Sequence, residues 1–200
     1  MDELRQISPF DSILEIGCGY GPNVIVLAQS FPGVRVVGTD INPISIREGN
    51  TKLKEKRIVS AQLHVSKADN GSPFLDKSFD IVFTDALLLY LGPDKIRNVV
   101  REMKRIARKA IVLVELHDED GMKDPFGNGC LTPDGWVRNY KNLLHPLFPV
   151  ESLSLKKIPA SVWPEGRWPS NGFIVVGRLQ PSASTGNESL HGEKSVGGYG

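Results

Sequence analysis

Short apolar runs alternate with longer amphipathic stretches along most of this chain. Apolar runs bounded by turn residues are typical of buried strands, whereas apolar positions three and four apart are typical of helices. The pattern predicts strands at residues 12–17, 35–40, 61–66, 79–85, 110–116, 151–157 and 172–179. It predicts helices at residues 23–30, 43–56, 93–107 and 133–144.

The order of these elements predicts an α/β fold. Strands that alternate with helices favour a mostly parallel sheet with helices on both faces, here as one domain over residues 1–180. Asn42 before Pro43 is a favourable helix start, and Pro93 and Pro133 repeat the signal of proline near a helix start. The loop between the last two strands is too short for a crossover helix, which predicts an antiparallel last strand.

Composition narrows the functional classes. Two hundred residues with 40% apolar content suffice for one core, and a net charge of +1 creates no field that attracts nucleic acid or anionic membrane. No apolar run approaches the roughly 20 residues of a membrane span, and the N-terminus lacks a signal-peptide pattern, which predicts a cytoplasmic protein. Cys18 and Cys130 are expected to be free thiols. Residues 181–200 contain almost no apolar residues and are predicted to be a disordered tail.

The strongest chemical signal is the turn after the first predicted strand. Gly17, Gly19 and Gly21 alternate there, between an apolar run and a predicted helix. Glycine lets the backbone turn sharply and lets a ligand lie against the main chain. Dinucleotide-binding folds usually carry G-x-G-x-x-G, and Pro22 stands here at the position of the third glycine. The turn therefore favours a nucleoside ligand without a diphosphate.

Two acidic residues follow the next two predicted strands. Asp40 could accept hydrogen bonds from both hydroxyls of a ribose, and Asp69 from an exocyclic adenine amine. The carboxyl ends of parallel strands share one edge of the sheet, where open α/β sheets bind ligands. Each feature alone has an ordinary alternative explanation. The glycines could form only a tight connection between strand and helix, Asp40 could be a helix cap, and Asp69 could be a turn residue. Their conjunction in this order predicts a nucleoside site.

With these motifs the chain resembles the class I S-adenosylmethionine-dependent methyltransferases. The resemblance is carried by Leu-Glu-Ile-Gly-Cys-Gly-Tyr-Gly at 14–21, Val-Val-Gly-Thr-Asp-Ile-Asn-Pro at 36–43 and Ala-Asp at 68–69, and continues through residues 79–91 and 102–114. It implies a Rossmann-like, seven-stranded sheet with the cofactor across the first four strand ends. Many relatives carry a histidine near the end of the fourth-strand segment, where this chain has Tyr90.

The resemblance also implies which residues bind S-adenosylmethionine. Glu15 and the glycine turn, with its main-chain amides, would face the methionine portion, Asp40 and Ile41 the ribose and adenine, and Asp69 the adenine amine. Thr84 would border the sulfonium. The full expected set is Glu15, Gly17, Cys18, Gly19, Tyr20, Gly21, Asp40, Ile41, Asn42, Ala68, Asp69 and Thr84.

Such a cofactor already carries a strong electrophile, so the protein mainly aligns a nucleophile with it. Asp85 and His117 are the candidate general bases, since each closely follows or ends a predicted strand at the ligand edge. The alternative for His117 is a solvated loop histidine. The acidic run that His117 heads could suggest a metal site, but adjacent carboxylates without a distant partner are usually hydrated, so no metal is predicted.

The acceptor pocket is expected to use residues 117–135 and 159–171. Trp163, Trp168 and Tyr140 could supply stacking surface and Arg167 an anion contact, or the aromatic residues could only pin the loop to the sheet. The fourth-strand segment ends in Thr-Asp-Ala-Leu, not the Asn/Asp-Pro-Pro-Tyr of enzymes that methylate amino groups of nucleic acids. The basic residues at 101, 104, 105 and 108 are predicted to be a solvated helix face.

The sequence therefore predicts a methyltransferase that acts on an oxygen or nitrogen of a small molecule. One alternative is a non-catalytic domain that keeps the fold as a scaffold or partner. Another is an NAD(P)-dependent oxidoreductase, which Pro22 and the glycine spacing disfavour. The acceptor and the oligomeric state stay open.

Overall fold

Seven strands form one sheet in the computed structural model, which describes residues 1–68, 72–118 and 126–180. The predictions for Asp69 and for the tail at 181–200 lie outside the described residues. The sheet has the order β3-β2-β1-β4-β5-β9-β8. Its strands are β1 Ser12–Ile16, β2 Arg35–Asp40, β3 Ala61–Val65, β4 Phe79–Asp85, β5 Ala107–Leu116, β8 Leu153–Lys157 and β9 Gly172–Arg178.

The remaining elements connect and cover this sheet. A separate hairpin pairs β6 Cys130–Thr132 with β7 Gly135–Val137. The helices are α1 Asp2–Arg5, α2 Pro22–Ser30, α3 Pro43–Glu55, α4 Pro93–Ile106, α5 Tyr140–Leu144 and α6 Trp168–Asn171, and two short 3₁₀ turns lie at Leu88–Tyr90 and Val150–Ser152. None of the helices in the described part of the chain combines the length and apolar composition that a membrane span requires.

Helices cover both faces of the sheet. Ile13 of β1 packs in one apolar cluster with residues of α2 and α3, whereas its neighbour Leu14 packs in a second cluster with α4 and α5. Successive strand residues point to opposite faces, so the two clusters lie on opposite sides. In α4 the residues spaced three and four apart are the buried ones: Ile96, Val99, Val100, Met103 and Ile106. This spacing is why the segment forms a helix that covers the sheet.

The predicted strands are confirmed with boundary changes of up to three residues, and β9 runs antiparallel to β5 and β8 as expected. The predicted helix at 133–144 is wrong over its first part. Gly135 has a φ of 116°, which a helix does not allow, and Trp136 and Val137 favour an extended backbone, so the segment pairs as β7. Only α5 remains helical there, with Asn139 as its N-cap.

The strand order reverses beside β1. The chain runs from β1 to β2 and β3 on one side, then returns to place β4 and β5 on the other side, all parallel. In open α/β sheets ligands bind at the carboxyl ends of the strands at such a reversal. The ends of β1, β2 and β4 are therefore the place to look for a site.

Candidate functional site

A cleft opens where these strands end. Gly17, Asp40, Ile41 and Ala68, four of the predicted binding residues, line one cleft of about 140 Å³. Its remaining lining residues are Ile16, Ser66, Lys67, Leu87, Leu91 and Lys95. We call it the glycine-turn cleft. Ile41 is 65% exposed and offers an apolar surface at its edge.

The main-chain amides of the turn are already used by the protein. The amides of Gly17 and Cys18 donate to the carbonyl oxygen of Thr39 at 2.7 and 2.9 Å, and that of Gly21 donates to the Cys18 carbonyl oxygen at 2.8 Å. Gly21 is also the N-cap of α2, with a φ of 80°. The amides of Gly17, Cys18 and Gly21 are therefore engaged within the protein, and the binding of a ligand by main-chain amides of this turn stays a prediction. The hydrogen bonds from Gly17 and Cys18 to Thr39 hold the turn against β2. A ligand would therefore contact the surface of the turn and not these amide donors.

The open surface of the turn is at Gly19. A Cβ added there would meet no heavy atom within 4 Å, whereas one added at Gly17 would lie 2.7 Å from a side-chain carbon of Leu87. Both glycines have positive φ values, 54° and 78°. Gly19 thus leaves free space for a ligand, and Gly17 leaves room for Leu87.

Asp40 is held in one orientation by two backbone amides. Its Oδ2 accepts from the Gly19 amide at 2.9 Å and its Oδ1 from the Asn42 amide at 2.8 Å. A carboxylate oxygen can accept more than one hydrogen bond, so both oxygens keep acceptor capacity toward the cleft. The side chain of Asn42, expected at the cofactor, instead caps α3 by accepting from the amides of Ile44 and Ser45.

Three other predicted residues do not line the cleft. Cys18 is buried, and this burial raises the pKa of its thiol. The Tyr20 ring lies 3.9 Å from the ammonium nitrogen of Lys52. Thr84 is completely buried and donates its hydroxyl to Glu115 at 3.1 Å, so its expected place beside the sulfonium is corrected.

Two carboxylates, the buried Glu15 and the half-buried Asp85, lie on either side of Asn23 at the ends of β1 and β4. The side-chain amide of Asn23 donates to Glu15 Oε1 at 2.9 Å and to Asp85 Oδ2 at 3.0 Å. Within the described residues, Glu15 Oε2 and Asp85 Oδ1 are buried without a hydrogen-bond partner. Buried acceptors normally find a donor, so the pair is suited to receive a cation or a proton.

Burial shifts the titration of both acids. Loss of solvation, together with the neighbouring charges of Asp85 and Asp40, raises the pKa of Glu15 to about 8, although the Asn23 hydrogen bond opposes the shift. Loss of solvation likewise raises the pKa of Asp85. With Asn23, Asp85 lines a second cavity of about 240 Å³, the acid cavity, whose other walls include Phe83, Val112 and Ile174.

His117 is enclosed by protein. Its side chain is completely buried, its Nδ1 accepts from the Tyr140 amide at 3.1 Å, and its ring packs edge-on to Phe173 at 4.9 Å. His117 lines none of the cavities at this edge of the sheet, and its role as a base stays a prediction. The alternative of a solvated loop histidine is wrong, because the side chain is completely buried.

A third cavity, of about 630 Å³, lies between the β6–β7 hairpin and residues 163–168. Trp136, Trp163 and Trp168 all line it, together with Leu89 and Tyr90 from the turn after β4. We call it the tryptophan cavity. Residues 117–135 and 159–171 were expected to form the acceptor pocket, and parts of both line this cavity.

One short segment joins the three cavities. Asp85 lines the acid cavity, the next residue, Ala86, lines the tryptophan cavity, and the next, Leu87, lines the glycine-turn cleft. Ala86 has a φ of 53°, which is uncommon for a residue with a side chain. Strained backbone of this kind concentrates at functional sites.

Sequence reasoning missed three polar residues of this region. Asn23 bridges the two acids, and the buried Glu115 and Arg138 hold the turn after β4. The role of Glu115 could have been inferred from the sequence, because a lone acidic residue inside the apolar run of β5 must find buried hydrogen-bond donors. Arg138 was missed because it lies in the segment 133–144, which was wrongly predicted to be helical over its first part.

Known proteins match this chain in sequence and in fold. Residues 13–110 match the family model described as a methyltransferase domain. The matched segment, just under half of the chain, is similar to methyltransferase domains. Solved structures with the same fold include an S-adenosylmethionine-dependent methyltransferase, with a TM-score of 0.66.

Two curated methyltransferases and one solved structure illustrate the match. An uncharacterized methyltransferase of Synechocystis sp. is 30% identical over 113 residues, which are 56% of this chain and 50% of that protein. Trans-aconitate 2-methyltransferase of Escherichia coli O157:H7 is 26% identical over 108 residues, 54% and 40% of the two chains. The N-terminal domain of EvdMO1, solved with S-adenosylhomocysteine bound, shares the fold with a TM-score of 0.65 at 16% identity over 90% of this chain and 79% of that one.

The cofactor that the resemblance implies, S-adenosylmethionine, fits the residues present. The chain spans about half the length, or less, of these two methyltransferases. Its matched part nevertheless contains the open surface at Gly19, the fixed carboxylate of Asp40 and the unpaired oxygens of Glu15 and Asp85. Asp40 in the cleft can accept hydrogen bonds from hydroxyl groups, and the unpaired oxygens of Glu15 and Asp85 can accept them from a cationic group.

Proposed function

We propose that this protein transfers a methyl group from S-adenosylmethionine to an oxygen or nitrogen atom of a small-molecule acceptor. The observation that carries the proposal is the pair of carboxylates, Glu15 and Asp85, bridged by Asn23 at the reversal of strand order, each with one buried oxygen that lacks a described donor. An acidic pair with raised pKa values beside a cleft is typical of a site that binds a cation or moves a proton.

In this proposal, different residues bind different parts of the cofactor. Asp40, fixed by the amides of Gly19 and Asn42, accepts hydrogen bonds from the ribose hydroxyls. Ile41 supplies the exposed apolar surface on which the adenine lies, and Ala68 lines the same cleft. Glu15 Oε2 accepts a hydrogen bond from the ammonium of the methionine portion, which satisfies a buried atom that otherwise has no donor.

The cofactor supplies a methyl group on a positively charged sulfur. Asp85 lines the acid cavity and directly precedes Ala86 and Leu87, which line the other two cavities, and it is the residue we propose as the proton acceptor. Burial raises the pKa of Asp85, which makes its carboxylate a stronger base than an exposed aspartate. The apolar walls around it, among them Phe83 and Val112, exclude water from the proton transfer.

A small acceptor fits the space beside this residue. The tryptophan cavity, at about 630 Å³, lies within the roughly 300–1,000 Å³ typical of small-molecule sites. One similar protein, trans-aconitate 2-methyltransferase, acts by its name on a small molecule. Ala86 and Leu87 connect this cavity to the glycine-turn cleft, which would bring acceptor and cofactor together.

Calorimetric titration with S-adenosylhomocysteine, NAD and NADP tests the cofactor. We expect only the first to bind; binding of a nicotinamide cofactor alone would contradict the proposal. Transfer is then tested with a radiolabelled methyl donor and a fractionated extract of small metabolites. Asp85→Asn should keep the affinity for S-adenosylhomocysteine within about threefold and lose labelled product. Cofactor binding without product in any fraction would favour a non-catalytic scaffold.

A further inference from the structure

All three tryptophans of the chain line one cavity. Trp163 and Trp168 stack with their ring centres 3.9 Å apart and their planes at 4°, so they form one double-layered wall. Trp168 is almost buried, and Trp163 is the partly exposed layer. Tyr90, 76% exposed, adds a fourth ring from the turn after β4. Flat aromatic faces of this kind favour a flat aromatic ligand.

The same cavity carries two carboxylates. Asp134, in the turn of the β6–β7 hairpin, and Glu165 both line it and are both exposed. Asp134 lies against Gly166, where an added Cβ would be 3.1 Å from its Oδ1, so the two loops meet at this point. Among the lining residues that the structure describes there is no lysine or arginine. The surface offered to a ligand is therefore aromatic and acidic.

Two arginines lie near this cavity, and Arg167 forms an ion pair with Asp134, so Glu165 is the carboxylate that keeps its full charge for a ligand. Arg167, expected from the sequence to contact an anion, is not among the described lining residues, and its Nε lies 3.7 Å from Asp134 Oδ2. Arg138 lies 5.1 Å from the centre of the Trp136 ring but is completely buried. Its guanidinium donates to the backbone carbonyls of residues 88, 91 and 128. Glu165 forms no ion pair with the residues that the structure describes.

We propose that the tryptophan cavity binds the methyl acceptor and that this acceptor is a flat aromatic compound carrying a protonated amine. The inference rests on the proposed function, because it assigns the acceptor of that reaction. The faces of Trp136 and Trp163 attract both an aromatic ring and an ammonium group. Asp134 and Glu165 attract the ammonium and repel a carboxylate. Ala86, on the strained backbone beside Asp85, connects this cavity to the proposed base.

Intrinsic tryptophan fluorescence tests the inference directly, because every tryptophan lines the cavity. Three probes of similar size differ only in charge: 2-phenylethylamine, 2-phenylethanol and 3-phenylpropionate. We expect the amine to bind at least about fivefold more tightly than the alcohol, and the carboxylate most weakly. Equal affinities, a preference for the carboxylate, or no fluorescence change with any probe would overturn the inference.

Charge variants sharpen the test. Glu165→Gln should weaken amine binding by about threefold and leave alcohol binding unchanged, since it removes one exposed charge and keeps the shape. Asp134→Asn, Glu165→Gln together should weaken it by on the order of tenfold. Glu55→Gln, an exposed residue of α3, is the matched control and should change neither. Equal loss for amine and alcohol would show a packing effect and contradict the proposed charge recognition.

Calorimetry separates this inference from the proposed function. The protein saturated with S-adenosylhomocysteine should still bind 2-phenylethylamine, because acceptor and cofactor must be bound together. Cofactor binding without amine preference overturns the acceptor class alone. Amine preference without cofactor binding overturns the proposed function, and with it the role of this cavity as the acceptor site. Competition between the two ligands would place them in one cavity and also overturn the inference.

Discussion

Glu115 and Arg138 hold the same short turn from opposite ends, and both side chains are completely buried. Glu115 accepts hydrogen bonds from the amides of residues 87, 88 and 89, and Arg138 donates to the carbonyls of Leu88 and Leu91. The turn at Leu88–Tyr90 belongs to the segment that separates the glycine-turn cleft from the tryptophan cavity. The carboxylate of Glu115 thus accepts from the amides of this turn, and the guanidinium of Arg138 donates to its carbonyl oxygens.

This relationship predicts a pH dependence of stability. Loss of solvation raises the pKa of Glu115 from its ordinary 4.5 to about 7, despite the four hydrogen bonds that favour its charged form. The folded protein therefore holds the proton more tightly than the unfolded chain. The stability this group contributes is complete below pH 4.5 and is lost as the pH rises through 7, by about 3 kcal/mol. Glu115→Gln should remove that loss.

Urea unfolding of both proteins between pH 4.5 and 8 measures the effect. The free energy of unfolding of Glu115→Gln relative to the unmodified protein should rise with pH by about 3 kcal/mol. Glu55→Gln, exposed on α3, should follow the unmodified protein at every pH. Parallel pH profiles for Glu115→Gln and the unmodified protein would show that Glu115 has an ordinary pKa in the folded state.

A side chain at Gly19 should block the cofactor. A Cβ there points into open space, so Gly19→Val projects its methyl groups toward the proposed ligand and should weaken S-adenosylhomocysteine binding by more than about tenfold. Gly33→Val is the matched control, because Gly33 also has a positive φ, 88°, and no atom within 4 Å of an added Cβ. Both variants carry similar backbone strain, so undiminished affinity in Gly19→Val, or equal loss in both, would argue against close ligand approach.

Removing the Asp40 carboxylate should weaken cofactor binding by roughly 30-fold or more. Hydrogen bonds to a charged group contribute about 1.5–3 kcal/mol each, and Asp40→Ala also frees the Gly19 amide that fixes the turn. Asp11→Ala removes an exposed carboxylate that precedes β1, at the other end of the strand, and should leave the affinity unchanged. Calorimetric titration of the two variants compares them. Matching curves for Asp40→Ala and the unmodified protein would refute the ribose assignment.

Glu15 should make cofactor affinity depend on pH. Its pKa near 8 means that the free protein holds a proton there at pH 7, and a bound cation favours the ionised carboxylate. Binding should therefore release a proton, and the affinity should rise between pH 6 and 8 and then level off. Titrations at pH 7 in buffers of different ionisation enthalpy count the released protons. Glu15→Gln should bind more weakly and release fewer; an equal count in both proteins would exclude Glu15 as the source.

The sheet could be predicted from the sequence because its strands are local apolar runs, and the glycine turn because its backbone needs glycine. Gly17, Asp40, Ile41 and Ala68 converge because parallel strands end at one edge. The partners of the polar side chains could not be predicted. His117 reads as a loop residue, yet packing from β9 and α5 buries it, and such contacts between distant segments leave no local pattern.

The helix predicted at 133–144 shows the same limit. Proline at a segment start favours a helix, but the positive φ of Gly135 and the pairing of Trp136 with Leu131 produce a hairpin. That hairpin carries one wall of the tryptophan cavity, so the acceptor site could be located only roughly from the sequence. Pairing between strands decides the structure there, and local propensity does not.

A crystal soaked with S-adenosylhomocysteine tests the central claim most directly. The account predicts density for the nucleoside in the glycine-turn cleft, with both ribose hydroxyls on the Asp40 carboxylate and the ligand ammonium within hydrogen-bond distance of Glu15 Oε2. An empty cleft at saturating ligand, or density elsewhere on the protein, would contradict it.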